Sequence, residues 1–334
     1  MDAYLALSPA ARATLCRQGE PALGLPAGSL EKDFWVTWAL RELFSLKELG
    51  PHLTFKGGTS LSKGWGLIER FSEDLDVVVD RARLGFGGEQ FNAGRLNKLR
   101  QACQHCVLSQ LLPALRSQMQ ARLVSVAKWS LDLASKEEDP DLQTLVFHYP
   151  SEFAQGLQYI KPMVRIELGA RSDTDPSEMP GIQCLLAQVP GPLQAMQPFP
   201  VRTVAPRRTF WEKAMLLHEE TQRPQEKPLP PRLSRHYYDL WRLIQAGISE
   251  EALVDPGLFE RVAAHRQVFF RHGWVDYSTL RPGALRLMPS GERLPEWRRD
   301  YSAMREEMFY GEPPSFEEVL QVVKGFEEKF NLRV

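Results

Sequence analysis

The stretch that most constrains this chain is Lys56-Gly57-Gly58-Thr59-Ser60-Leu61-Ser62-Lys63, followed by Arg70-Phe71-Ser72-Glu73-Asp74-Leu75-Asp76. Residues 52–55 read as a short strand, 56–59 as a glycine turn and 60–70 as a helix. Residues 75–79, apolar and β-branched at the end, read as the next strand. Two glycines ahead of a helix let backbone N–H groups turn toward an anion, and the helix N-terminus adds its partial positive charge. A triphosphate fits there. Side chains two apart on a strand leave the same face, so Asp74 and Asp76 converge and can hold hard, oxygen-seeking cations such as Mg²⁺. A pair of such ions neutralises charge on the attacking and leaving oxygens of an in-line attack at phosphorus, which nucleotidyl transfer requires. A Walker loop is excluded by order: Lys63 is followed by Gly64, and no Gly-Lys-Ser/Thr ending exists.

Around this stretch the patterns alternate between sheet and helix. Residues 30–49 form a helix with a broad apolar face of Phe34, Trp35, Trp38, Leu40, Leu43 and Phe44, fit to pack on the sheet. Residues 91–126 are helical with a break at Pro113, and 124–133, 142–149 and 163–168 are strand candidates. The expectation is an α+β fold with a mixed sheet flanked by helices. Proline and glycine between 176 and 206 mark connecting loops, and the four prolines of 222–231 mark a loop able to move. Residues 210–220, 236–245, 250–270 and 315–330 read as helices, so the C-terminal region is mainly helical. A length of 334 residues suits two domains, 1–206 and 207–334, the second completing the active-site cleft.

With 41 basic and 42 acidic side chains the net charge is −1, so a nucleic-acid partner has to be held by a local patch. Residues 202–235 offer one, with Arg202, Arg207, Arg208, Lys213, Arg223, Lys227, Arg232 and Arg235 against Glu212, Glu219, Glu220 and Glu226. That patch could bind an RNA backbone, or serve only a nucleotide's phosphates. Cys16, Cys103, Cys106 and Cys184 are too scattered for a disulfide framework. Cys103-Gln104-His105-Cys106 lacks a second ligand pair, and thiols on a helix are preferred to zinc. Neither a membrane span nor a signal segment is visible, and a cytoplasmic protein is expected.

Further motifs extend the pattern: Glu31-Lys32-Asp33-Phe34-Trp35-Val36, Arg207-Arg208-Thr209-Phe210-Trp211-Glu212-Lys213 and Arg235-His236-Tyr237-Tyr238-Asp239-Leu240. With the glycine turn and the aspartates, they span residues 31–240, and the set resembles the AbiEii family. These are toxins of type IV toxin–antitoxin and abortive-infection systems, within the DNA polymerase β-like nucleotidyltransferases. The resemblance implies a phosphate-binding turn at Gly57, Gly58, Thr59 and Ser60, with Lys63, Ser72, Arg235 and His236 as further nucleotide contacts. It implies two Mg²⁺ ions on Asp74 and Asp76, and catalytic roles for both aspartates, Lys213 and Asp239. Lys213 could reach the triphosphate as a point charge or be a solvated helix lysine. Asp239 could position Lys213, assist proton transfer, or belong to a salt-bridge cluster at a helix start.

Polymerase β-like enzymes commonly add a third carboxylate, for which Glu167 in Val164-Arg165-Ile166-Glu167-Leu168 is the candidate. Arg165 shares its face and could neutralise it. Ser72 is a candidate for self-modification, or a hydrogen-bonding residue ahead of the strand. Phe210 and Trp211 are expected to pack their helix rather than stack a base. The implied activity moves an NMP from an NTP to the 3′ end of tRNA, with a separately encoded antitoxin as partner. Transfer to a protein hydroxyl and a catalytically silent nucleotide-binding regulator are the alternatives.

Overall fold

Among the described residues the strands are β1 (Leu53–Lys56), β2 (Leu75–Val79), β3 (Ser130–Leu133), β4 (Thr144–His148), β5 (Met163–Gly169), β6 (Ser177–Glu178), β7 (Gly181–Ile182), β8 (Phe199–Pro200) and β9 (Thr203–Val204), and all but β7 and β8 belong to the sheet that carries Asp76. In this computed structural model every residue is described except 71, 73, 89, 127, 154–160, 310, 311 and 334, and the side chains of 306 and 307. Phe71 and Glu73 of the motif before the aspartates therefore lie outside the described residues. The chain forms two compact units, Met1–Trp65 with Ser72–Val204, and Gly66–Phe71 with Ala205–Val334.

In the first unit the main sheet runs β3-β4-β5-β2-β1-β9-β6, and β7 pairs with β8 separately. β2 is antiparallel to β1 but parallel to β5, so the sheet is mixed, as the patterns suggested. β5 alternates, with Val164, Ile166 and Leu168 buried and Glu167 exposed, which fixes its register through the core. The helices are α1 (Asp2–Leu5), α2 (Pro9–Leu23), α3 (Ala27–Phe44), α4 (Gly57–Lys63), α5 (Ala93–Cys106) and α6 (Leu112–Arg122). α3 is buried almost all round, the charged residues Glu31, Lys32 and Glu42 included. Its Trp35 stacks on Tyr149 at 5.5 Å and meets Phe147 of β4 edge-on at 5.8 Å, each such burial contributing about 1.5–3 kcal/mol.

The charged run on α3 pins other segments. Glu31 accepts from the Ser151 hydroxyl at 2.5 Å and the Glu152 N–H at 2.9 Å, and Lys32 donates to the Lys161 carbonyl at 3.1 Å. Asp33 accepts from the Leu185 N–H at 2.7 Å and pairs with Lys63.

The second unit contains α7 (Pro206–Thr221), α8 (Arg235–Gln245), α9 (Ile248–Val254), α10 (Pro256–Phe269), α11 (Leu294–Met308) and α12 (Phe316–Asn331). Phe210 and Trp211 sit at its centre: Phe210 meets Phe326 at 4.9 Å, and Trp211 meets Phe259 at 4.9 Å and Phe330 at 5.3 Å. These two aromatics pack the helix, as expected of them. No helix among the described residues is long and apolar enough to cross a membrane.

Several elements differ from the sequence expectation. The helix expected over 60–70 begins at Gly57 and stops at Lys63, because Gly64 and then Gly66, at φ +63°, leave it without helix-supporting residues. The helix over 91–126 does not break at Pro113. A π-helical turn at Val107–Leu111 joins α5 to α6, and its widened ladder absorbs the proline that lacks an N–H. Only Ser130–Leu133 of 124–133 is strand, and Val124 is exposed. The helix over 250–270 is two helices, divided where Asp255 caps the second through the Leu258 N–H at 3.0 Å and Pro256 opens it. Within 176–206, β9 and β6 extend the sheet. The 222–231 loop is held in place, since buried Arg293 donates to the carbonyls of Pro224, Gln225 and Lys227.

Candidate active site

The first unit gathers its site residues where β1 hands over to α4 beside β2. Lys56 lies opposite Asp76 in the ladder, so Gly57 emerges directly against the Asp76 carboxylate. Gly57 adopts φ +80°, and a Cβ built there would sit 2.0 Å from Asp76 Oδ2. Only glycine allows both that backbone conformation and that approach. α4 has no side-chain cap at Lys56. Its hydroxyls serve the local backbone: Ser60 Oγ donates to the Gly57 carbonyl at 2.8 Å, and Ser62 Oγ to the Thr59 carbonyl at 3.1 Å. Thr59 Oγ1 lies 2.6 Å from the Asp74 carbonyl and 2.8 Å from Ser72 Oγ. With one proton, Thr59 donates to the carbonyl and Ser72 donates to Thr59. Buried Thr59 therefore ties the turn to the entrance of β2. What the turn offers a phosphate is backbone N–H, while Thr59 and Ser60 shape it.

Asp74 and Asp76 are half-buried, and the β2–β5 register sets Asp76 directly beside Glu167. Arg165, two residues back on β5, lies 3.8 Å from Glu167 and 3.1 Å from Glu138. Among the described residues no three His, Cys, Asp or Glu side chains are gathered closely enough to hold a metal ion. Asp74 and Asp76 are two carboxylates with hard oxygens of the kind that could hold Mg²⁺. Lys63 is engaged elsewhere: its ammonium pairs with Asp33, in a side chain only 8% exposed. Cys103 and Cys106 are buried thiols; burial pushes Cys103 up to about 12 and also raises Cys106.

The second unit builds a buried cluster around Asp239 of α8. Arg70 Nε and Nη2 reach its two oxygens at 2.6 and 2.8 Å, and Lys213 Nζ of α7 lies 2.7 Å from Oδ2. Burial alone would raise the Asp239 carboxyl, but the Arg70 and Lys213 charges outweigh it and hold the group well below the usual carboxylate range. Asp239 is thus an anion at neutral pH, paired with both cations. Burial lowers the Lys213 ammonium; Asp239 opposes that shift and Arg70 adds to it. Lys213 Nζ is also 3.4 Å from His236 Nδ1. Burial, then the charges of Lys213 and Arg235, push His236 well below its ordinary value, so it is neutral and accepts through Nδ1. A neutral His236 can meet a phosphate only by donating from Nε2. Arg235 is exposed. Arg70 carries no role in the sequence reading, and no local pattern could reveal a partner 169 residues away.

No curated protein matches the chain. Among solved structures, MenT4, a nucleotidyltransferase toxin from Mycobacterium tuberculosis H37Rv, is similar at 15% identity and a TM-score of 0.34, covering 90% of this chain and 99% of that one. The family described as nucleotidyl transferase AbiEii toxin, type IV TA system, matches residues 38–322. Spanning most of its length, that match makes this chain a member of the AbiEii nucleotidyltransferase toxins of type IV toxin–antitoxin systems.

Proposed function

We propose that this toxin transfers an NMP from an NTP to the 3′ end of tRNA in a Mg²⁺-dependent reaction, and so blocks translation in the cytoplasm. The observation that carries the reading is the contact of Gly57 with Asp76, which makes the phosphate-facing turn and the acidic pair one contiguous structure. Backbone N–H groups of Gly57, Gly58, Thr59 and Ser60 receive the triphosphate. Asp74 and Asp76 would hold Mg²⁺, with Glu167 adjoining, and the bound metal would neutralise charge on the reacting phosphate oxygens. Lys213, oriented by Asp239, adds a fixed ammonium to the reaction, and Arg235 and the Nε2 proton of His236 add further phosphate contacts. Within the basic run of 202–235, Lys227, Arg232 and Arg235 are exposed and could meet an RNA backbone or only the nucleotide's phosphates, while Arg208 and Lys213 are buried. A separately encoded antitoxin is the partner that a toxin of this family implies.

The test is to incubate the protein with Mg²⁺, each labelled NTP in turn, total tRNA and total cell protein, and follow the label. Label on tRNA 3′ ends, lost on chelation, is the expected result. Label on protein alone would replace the tRNA acceptor by a protein hydroxyl. No label in either fraction would leave a nucleotide-binding regulator, and label that survives chelation would remove the metal.

A further inference from the structure

Asp239 is the hub of the second unit's charge cluster, and its firmest partner comes from a segment far away in sequence. Arg70 grips both carboxylate oxygens, and the segment bearing it is anchored in turn. Arg70 pairs through its backbone with Phe309, and Arg242 of α8 donates to the Leu67 carbonyl at 3.1 Å and bridges Glu69 at 2.9 Å. A carboxylate holding a single ammonium can rotate about its terminal torsion and carry the ammonium with it. A planar guanidinium bound at two points removes that freedom. Arg70 and Asp239 are 3% and 0% exposed, so water does not compete for the fork.

We propose that Arg70 is a positioning residue for nucleotidyl transfer: its two-point grip locks Asp239 in the orientation that holds the Lys213 ammonium toward a phosphate. The inference rests on Lys213 and Asp239 belonging to the active site. Lys213 then has one N–H on Asp239, one on His236 and a third to offer substrate. The groups facing Lys213 are Asp239, Arg70, His236 and Arg235. Burial and the two arginine charges lower its pKa against the pull of Asp239, so removing the guanidinium raises it. A lysine that works as an ammonium then stays active to higher pH.

Arg70→Gln, Arg70→Lys and Lys213→Met are assayed by label transfer from NTP into whichever acceptor fraction the wild type labels, with thermal melting as a control for folding. Arg70→Gln should lower kcat roughly 10–100-fold, as loss of a group that orients another commonly does, and move the alkaline limb of kcat/KM to higher pH. Arg70→Lys keeps the charge without the fork, so it should lose rate while keeping the wild-type limb; it tests the fork alone if the glutamine variant fails to fold. An unmoved limb in folded Arg70→Gln, or wild-type kcat in Arg70→Lys, overturns the positioning role. Full activity in Lys213→Met would instead overturn the reading of the site beneath it, and Arg70 remains in place there.

Discussion

Asp76 and Asp239 are the same residue in opposite surroundings. Asp76 stands half-buried on β2, pressed by Gly57 and flanked in register by Glu167. Asp239 is fully enclosed and already neutralised by Arg70 and Lys213. A carboxylate that is to take a cation from water has to stay accessible and close to other acidic groups. One that only orients a neighbour is best buried with its charge fully matched, because an unmatched buried charge is costly. The contrast predicts that the first cluster can be damaged in activity without loss of fold, and that the second cannot.

The largest effect is expected from Asp76→Ala. It should lower label transfer on the order of 10³-fold, the scale for a group that stabilises transition-state charge, while leaving the melting temperature close to wild type. Unaltered turnover would break the contrast at its functional end.

Asp239→Asn comes next and should fail in both respects. Leaving Arg70 and Lys213 buried without their anion costs about 3–5 kcal/mol, and transfer should fall together with the melting temperature. Because the folded carboxyl lies below its ordinary value of 3.8, its contribution is fully present above that pH and is lost as pH falls through the lower folded value. Denaturation of the two proteins should therefore differ by a constant amount from neutral pH down to about 3.8 and converge below it. A variant as stable as wild type would show that the cluster does not hold the second unit together.

Gly57→Ala sharpens the comparison with the smallest change. A methyl group at φ +80° and 2.0 Å from Asp76 Oδ2 must push the carboxylate aside. Strain of about 1–3 kcal/mol is expected in denaturant melts, together with weaker Mg²⁺ activation. Unchanged Mg²⁺ dependence would separate the turn from the acidic pair.

The two clusters also differ in how far the sequence exposed them. Gly57-Gly58-Thr59-Ser60 and Asp74-x-Asp76 could be read because glycine's backbone freedom and the two-residue period of a strand are local properties. The same local reasoning overextended α4 to residue 70, since it did not weigh Gly64 and Gly66, and it broke at Pro113 a helix that a π turn carries through. The family resemblance placed Lys63 among the nucleotide contacts, and the folded chain pairs its ammonium with Asp33. Glu31-Lys32-Asp33 read as one family motif, but each of the three residues holds a different distant segment.

The sequence alone determined that a glycine turn, a short helix and an acidic strand follow one another, and with them the family and its class of chemistry, because neighbours along the chain fix those relations. Tertiary structure decided that Glu167 lies beside Asp76, that Lys63 answers Asp33, and that Arg70 clasps Asp239. Those relations depend on sheet register and on burial of matched charges across long loops, which only the folded chain supplies.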